Sequence, residues 1–103
     1  MNYIFTMYKS FKHLYLSQNS REAIYLGYRI ILTKTEYAIL CALMENNKRP
    51  LSANDFCTLL GMELTNQNVA YHVFKINSKA KIIGNRVLIK NMAKFGYFLN
   101  QKM

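Results

Sequence analysis

Lys75, Lys79, Lys81, Arg86, Lys90, Lys94 and Lys102 all fall within residues 64–103, a stretch that holds no aspartate or glutamate. The five acids, Glu22, Glu36, Glu45, Asp55 and Glu63, share residues 1–63 with the other seven cations, so the net charge of +9 is concentrated in the C-terminal part of the chain. A field of one sign suits a polyanionic partner. A solvated basic surface that keeps a protein soluble has the same composition, so charge alone leaves both readings open. Other chemistry finds little material. The carboxylates are scattered rather than paired, no glycine-rich phosphate loop is present, and no Cys or His stands at nucleophile spacing, so no catalytic residue is expected. Zinc needs about four ligands at close spacing, and Cys41, Cys57, His13 and His72 are spread over most of the chain, so neither a metal site nor a cofactor is expected.

The elements that must position these cations follow from periodicity. Asn2 to Tyr8 alternates, with Tyr3, Phe5 and Met7 on one face. Lys12 to Leu16, Ala23 to Leu26 and Arg29 to Leu32 continue an antiparallel sheet with a turn at Gly27-Tyr28. The aromatic set Tyr3, Phe5, Tyr8, Phe11 and Tyr15 is expected to serve as core or as a dimer surface rather than as a stacking platform for single strands. The period then changes. Thr33-Lys34-Thr35-Glu36 is a capping box opening a helix through Asn46, with Tyr37, Leu40, Cys41, Leu43 and Met44 on its apolar face. Ser52 followed by Asp55 starts a shorter helix with Phe56, Leu59 and Leu60 inward and Gly61 as its stop. A third helix is expected from Thr65-Asn66 to about Ala80, with Val69, Val73, Ile76 and Ala80 as its core stripe. The row Asn68, His72, Lys75 and Lys79, flanked by Tyr71 and Ser78, is read as its outward face. Arg86 to Lys90 and Gly96 to Leu99 read as a terminal hairpin with Lys90 and Lys94 near its tip.

At 103 residues, 51% of them hydrophobic and 18% charged, the chain has enough apolar surface to fold as one α+β domain. Its parts are an N-terminal sheet over 1–32, a three-helix core over 33–80 and a hairpin over 82–100. No signal peptide and no membrane-spanning run is read from the sequence, so a cytoplasmic protein with reduced thiols and no membrane partner is expected.

Strands, three helices and a hairpin, in that order, make a winged helix-turn-helix. Leu32-Thr33-Lys34-Thr35-Glu36-Tyr37-Ala38-Ile39-Leu40, then Ser52, then Val69-Ala70-Tyr71-His72-Val73-Phe74-Lys75-Ile76, then Gly96-Tyr97-Phe98-Leu99, resembles the effector domain of OmpR/PhoB-type response regulators over about residues 25 to 100. The resemblance implies a four-stranded N-terminal sheet, a third helix in the DNA major groove, a wing over the adjacent minor groove, and tandem dimers on direct repeats. It places the family's helix-three contacts on Lys75 and Asn77 and its histidine on His72. Phe74 and Asn77 stand where the family commonly has arginines, and Ala93-Lys94-Phe95-Gly96-Tyr97 replaces an Arg-Gly-x-Gly-Tyr wing. Lysine does not read guanine bidentately as arginine does, so base-specific affinity per copy is expected to be lower. Segment 61–68 is also a few residues shorter than the loop that contacts RNA polymerase in some relatives. The 32 residues ahead of the first helix are too few for a phosphoacceptor receiver domain, so regulation without one is expected.

The expected DNA-contacting residues are Asn68, Tyr71, His72, Lys75, Asn77, Lys79, Lys81, Arg86, Lys90 and Lys94, with double-stranded DNA as the partner. Neutralising about 4 to 6 phosphates per copy would give a slope of roughly −4 to −5 for log affinity against log salt. Asn68 is as readily a first-turn cap as an adenine reader, and Lys90 and Lys94 also protect a hairpin edge. RNA polymerase and a second copy of the chain are further partners under this reading. The alternative is a winged-helix protein-interaction module with weak or no DNA binding.

Overall fold

Three Ser/Thr residues, each followed three positions later by a side chain able to reach back, set the starts of the helices. The computed structural model describes residues 8–103. Among them the element order is β1 (Tyr8–Phe11), β2 (Leu14–Ser17), β3 (Glu22–Tyr25), β4 (Tyr28–Ile31), α1 (Lys34–Glu45), α2 (Ala53–Leu60), α3 (Asn66–Gly84), β5 (Ile89–Met92) and β6 (Gly96–Leu99). Thr33 and Glu36 close a capping box on α1, Ser52 and Asp55 on α2, and Thr65 and Asn68 on α3. Each satisfies amides that the first turn leaves without helical partners. Gly61 at φ 64° and Asn85 at φ 57° stop α2 and α3 in the left-handed conformation.

β1 to β4 form an antiparallel meander in sequence order. Its register pairs Leu14 with Tyr25, Leu16 with Ala23, and Ala23 with Ile30. These side chains share one face and are buried, against Ile39, Leu40 and Leu43 of α1 and Val73, Ile76 and Ala80 of α3 in one core. The α3 stripe Val69, Val73, Ile76 and Ala80 is buried as its spacing predicts. Phe56 anchors α2, whereas Leu59 is 47% exposed and does not join the core as expected.

Several boundaries move. The strand expected over Asn2 to Tyr8, with its Tyr3, Phe5 and Met7 stripe, lies outside the described residues except for Tyr8, and the first described strand is Tyr8–Phe11. The β3–β4 turn is Leu26-Gly27, both at positive φ (52° and 83°), rather than Gly27-Tyr28. That is the primed turn whose twist suits a two-residue hairpin. Helix α3 runs four residues past Ala80, because Asn85 rather than Ala80 provides the left-handed exit. Gly84 lets this last turn press on the sheet, since a Cβ there would lie 2.8 Å from Tyr25 Oη and Leu26 Cδ1. Cys41 and Cys57 are both free thiols. No helix among the described residues is long and apolar enough to cross a membrane.

The β5–β6 hairpin is tied to the helices through Leu51. Its amide and carbonyl both pair with Tyr97 at 2.8 Å, adding a one-residue third strand. Gly96 permits this approach: at φ 128° a Cβ would sit 2.3 Å from Leu51 O. Gly96→Ala is therefore expected to cost about 2–4 kcal/mol, combining steric overlap with backbone strain. Gly61→Ala, at φ 64° with nothing within 4 Å of the new Cβ, should cost only about 1 kcal/mol. Urea unfolding of the two variants checks the order, and equal costs would contradict the close approach at Leu51.

The α2 cap has a pH signature. The Ser52 amide donates to Asp55 Oδ2 at 2.8 Å, and Arg49 Nη1 lies 3.2 Å from the same oxygen. The Ser52 amide is the larger cause, ahead of Arg49, in holding the Asp55 carboxyl below its ordinary value. A depressed folded-state pKa gives stability that is full above the unfolded value and lost as pH falls through the folded one. Unfolding at neutral pH and at about pH 3 should thus show a smaller stability difference for Asp55→Asn than for the parent.

Candidate nucleic-acid interface

Helix α3 is held on both flanks by side chains that the sequence reading had assigned to DNA. On one flank Lys79 Nζ donates to Glu36 Oε1 at 2.6 Å and to the Ile31 carbonyl at 2.9 Å. The Glu36 side chain is 2% exposed, and its Oε1 also accepts from the Thr33 amide at 3.0 Å. On the other flank the Asn77 amide group is engaged at both its oxygen and its nitrogen. Its Nδ2 donates to Ile89 O at 2.9 Å, while Oδ1 accepts from the Leu88 and Ile89 amides at 2.9 and 3.0 Å. The expectation that Lys79 and Asn77 point outward is therefore corrected. Lys79 neutralises a buried carboxylate that would otherwise be unpaired, and Asn77 clamps the start of β5 to α3.

The outward edge is consequently rotated from the row Asn68, His72, Lys75, Lys79. At about 100° per residue, the positions opposite Val69, Val73, Ile76 and Ala80 are Gln67, Tyr71, Phe74 and Ser78, with Lys75, Lys81 and Ile82 beside them. Tyr71 is 58% exposed and Phe74 65%; Gln67, Lys75 and Lys81 are exposed, and Ser78 is half-buried with its hydroxyl donated to Phe74 O at 2.8 Å. Gln67 and Phe74 are absent from the sequence-based set. Their angular position opposite the apolar stripe is the signal that finds them. His72 is half-buried at the side of this edge, its ring edge-on to Tyr71 at 5.6 Å. Asn68 is exposed but spends its Oδ1 on the Thr65 amide at 3.2 Å, so its capping role is realised.

The remaining cations divide simply. Lys75, Lys81, Lys90 and Lys94 are exposed and make no ion pair among the described residues, whereas four of the five carboxylates are each paired, Glu45 with Lys9, Glu22 with Arg29, Asp55 with Arg49 and Glu36 with Lys79. Arg86 is exposed and gives one N–H to Lys102 O at 2.8 Å, leaving most of its donors to solvent. An open concavity of about 420 Å³ lies between the starts of α2 and α3 and the hairpin tip, lined by Ser52, Asn66, Asn91, Lys94 and Phe95 among others. No group of three or more His, Cys, Asp or Glu side chains able to hold a metal occurs among the described residues.

With this geometry in hand, the backbone can be compared with known proteins. The DNA-binding domain of response regulator AdeR, solved in complex with an intercistronic region, superposes with a TM-score of 0.78 at 20% identity, covering 89% of this chain and 97% of that one. The C-terminal domain of the nisin resistance regulator NsrR gives 0.74 at 20% identity, covering 88% and 94%. The DNA-binding domain of E. coli CadC gives 0.73 at 16% identity, covering 85% and 86%. The fold is a winged helix-turn-helix. It is the fold of OmpR/PhoB-type effector domains that the sequence motifs resemble. No protein-family model matches the sequence, and no curated protein matches it closely enough to count as a relative.

The two roles now separated on α3 predict opposite phenotypes. Lys79→Ala strands the Glu36 carboxylate and should lower stability by about 2–3 kcal/mol, reduced from the value for a fully buried pair because the lysine is partly exposed. Lys75→Ala should change stability by less than about 0.5 kcal/mol. Chemical denaturation of both variants tests the assignment, and a parent-like Lys79→Ala would overturn it.

Proposed function

We propose that the chain binds double-stranded DNA as a transcription regulator, laying the outward edge of α3 in the major groove and the β5–β6 wing along the neighbouring backbone and minor groove. The observation that carries this reading is the set Lys75, Lys81, Lys90 and Lys94, four exposed cations on α3 and the hairpin, none of them ion-paired among the described residues. Such side chains, together with the free donors of Arg86, supply the sequence-independent attraction for phosphates. The concavity between the start of α3 and the hairpin tip is a seat for the strand passing between them, with Lys94 at its rim. That the AdeR domain, which shares this fold, was solved in complex with an intercistronic region supports DNA as the partner. Tyr71 stands on the contacting face, His72 at its side and Asn68 at its start, while Lys79 and Asn77 act by holding the helix. Binding as two copies on adjacent half-sites would add the affinity that one arginine-poor helix lacks, and RNA polymerase is a further partner of this reading.

One observation favours a second reading, a module that docks a protein: Phe74 and Ile82, 65% and 88% exposed, stand on the same edge of α3. Salt dependence separates the two. With Lys79 withdrawn from the contact, Lys75, Lys81, Arg86, Lys90 and Lys94 neutralise about five phosphates per copy, which gives an expected slope of about −4.5 for log affinity against log salt. Lys75→Ala/Lys81→Ala should reduce the slope by about 2 and weaken binding on every duplex alike. Fluorescence anisotropy on generic duplex over a salt series measures both, and absence of binding even at low salt would sink the DNA reading in favour of the docking module.

A further inference from the structure

The centre of the outward edge of α3 is aromatic, with a lysine on either side of it. Phe74 and Tyr71 stand three residues apart, so their rings are neighbours on the helix surface. They are 65% and 58% exposed, and no core position takes either ring. Lys75 and Lys81 flank them, and neither is ion-paired with a carboxylate among the described residues. Exposed rings inside a cationic frame fit a partner that is anionic at its rim and apolar at its centre. The floor of the major groove offers one apolar group, the C5 methyl of thymine; cytosine, adenine and guanine present polar edges there.

We propose that Phe74 and Tyr71 read thymine methyl groups, making this protein selective for sites with thymine under the middle of α3. The inference rests on the DNA-binding reading above and adds to it the class of sequence preferred. Phe74 stands where the resembling family commonly carries arginine, so a guanine-reading fork is exchanged for an apolar contact. Gln67, exposed one turn before Tyr71, can pair bidentately with adenine N6 and N7 and so accommodates the A·T pair next to a contacted thymine. Ser78 gives its hydroxyl proton to the Phe74 carbonyl, so its oxygen is left only as an acceptor.

The test uses the full chain and a duplex recovered by selection from a random-sequence library at low salt. That duplex is resynthesised with deoxyuridine in place of thymidine, which deletes the methyl groups and leaves every Watson–Crick bond in place. The parent should bind the uracil duplex about fourfold more weakly per contacted methyl, the value of one buried methyl-sized group. Phe74→Ala should weaken binding to the thymine duplex by a similar factor and respond less than the parent to uracil. Being exposed, Phe74 can be truncated without unfolding the domain, and thermal melting of the variant monitors that. Equal binding of both duplexes by the parent overturns the inference while leaving DNA binding intact, and undiminished uracil sensitivity in Phe74→Ala overturns the assignment to that residue. If the parent binds no duplex at low salt, the inference falls together with the DNA-binding reading.

Discussion

A single buried carboxylate organises this domain. Glu36 caps α1 through the Thr33 amide and holds Lys79 at 2.6 Å, and Lys79 in turn reaches the carbonyl of Ile31 at the end of β4. Sheet, first helix and third helix therefore meet at one ion pair in which the carboxylate is withdrawn from water. Breaking such a pair leaves a charge with no solvent to receive it, whereas the intact pair satisfies both partners. The geometric consequence exceeds the energetic one, because an anchor off the apolar stripe sets the rotation of α3 about its own axis. Asn77 opposes it from the other side by holding the Leu88 and Ile89 backbone. Between these restraints the helix has one rotational setting, and that setting presents Tyr71 and Phe74.

The same economy governs the charges. An acid on each of β3, α1 and α2 is bound to a nearby cation, and Glu36 takes the one lysine of α3 that lies against the body of the protein. Lys75, Lys81, Lys90 and Lys94 are left without an ion pair on α3 and the hairpin, in a segment that carries no acidic side chain, while Lys12, Arg21, Lys34 and Lys48 stay exposed and unpaired elsewhere among the described residues. The caps of α1 and α2 engage Lys79 and Arg49 through Glu36 and Asp55, and the Thr65 cap of α3 engages Asn68, so helix initiation draws on none of Lys75, Lys81, Lys90 and Lys94.

The hairpin is positioned by backbone rather than by side chains. Leu51 lends both of its main-chain groups to Tyr97, and Gly96 lets the two strands approach. A hairpin of two strands is marginal alone. Here the Asn77 clamp holds its base at Ile89 and the Leu51 bridge holds Tyr97 nearer the turn, so that Lys90 projects from the clamped part of β5 and Lys94 from the turn itself.

Much of this was legible in the sequence because it rests on local rules. The caps at Thr33 and Ser52, the start at Thr65, the stop at Gly61 and the stripe Val69, Val73, Ile76, Ala80 follow from spacing and from the needs of unpaired amides, and all lie where spacing places them. The cationic, acid-free C-terminal part is likewise a property of composition. What each polar residue of α3 does was not legible. Periodicity identifies the buried face well, since several apolar positions agree on it, but it places the flanks only loosely, and a long lysine or an asparagine there serves equally as contact or as anchor. Whether Lys79 finds Glu36, forty-three positions earlier, and whether Asn77 finds β5, depends on how sheet, helices and hairpin pack. Only the tertiary structure brings those partners together, and so only it decides that Lys79 and Asn77 are bonded within the fold and that a phenylalanine is exposed on the outward edge of the helix.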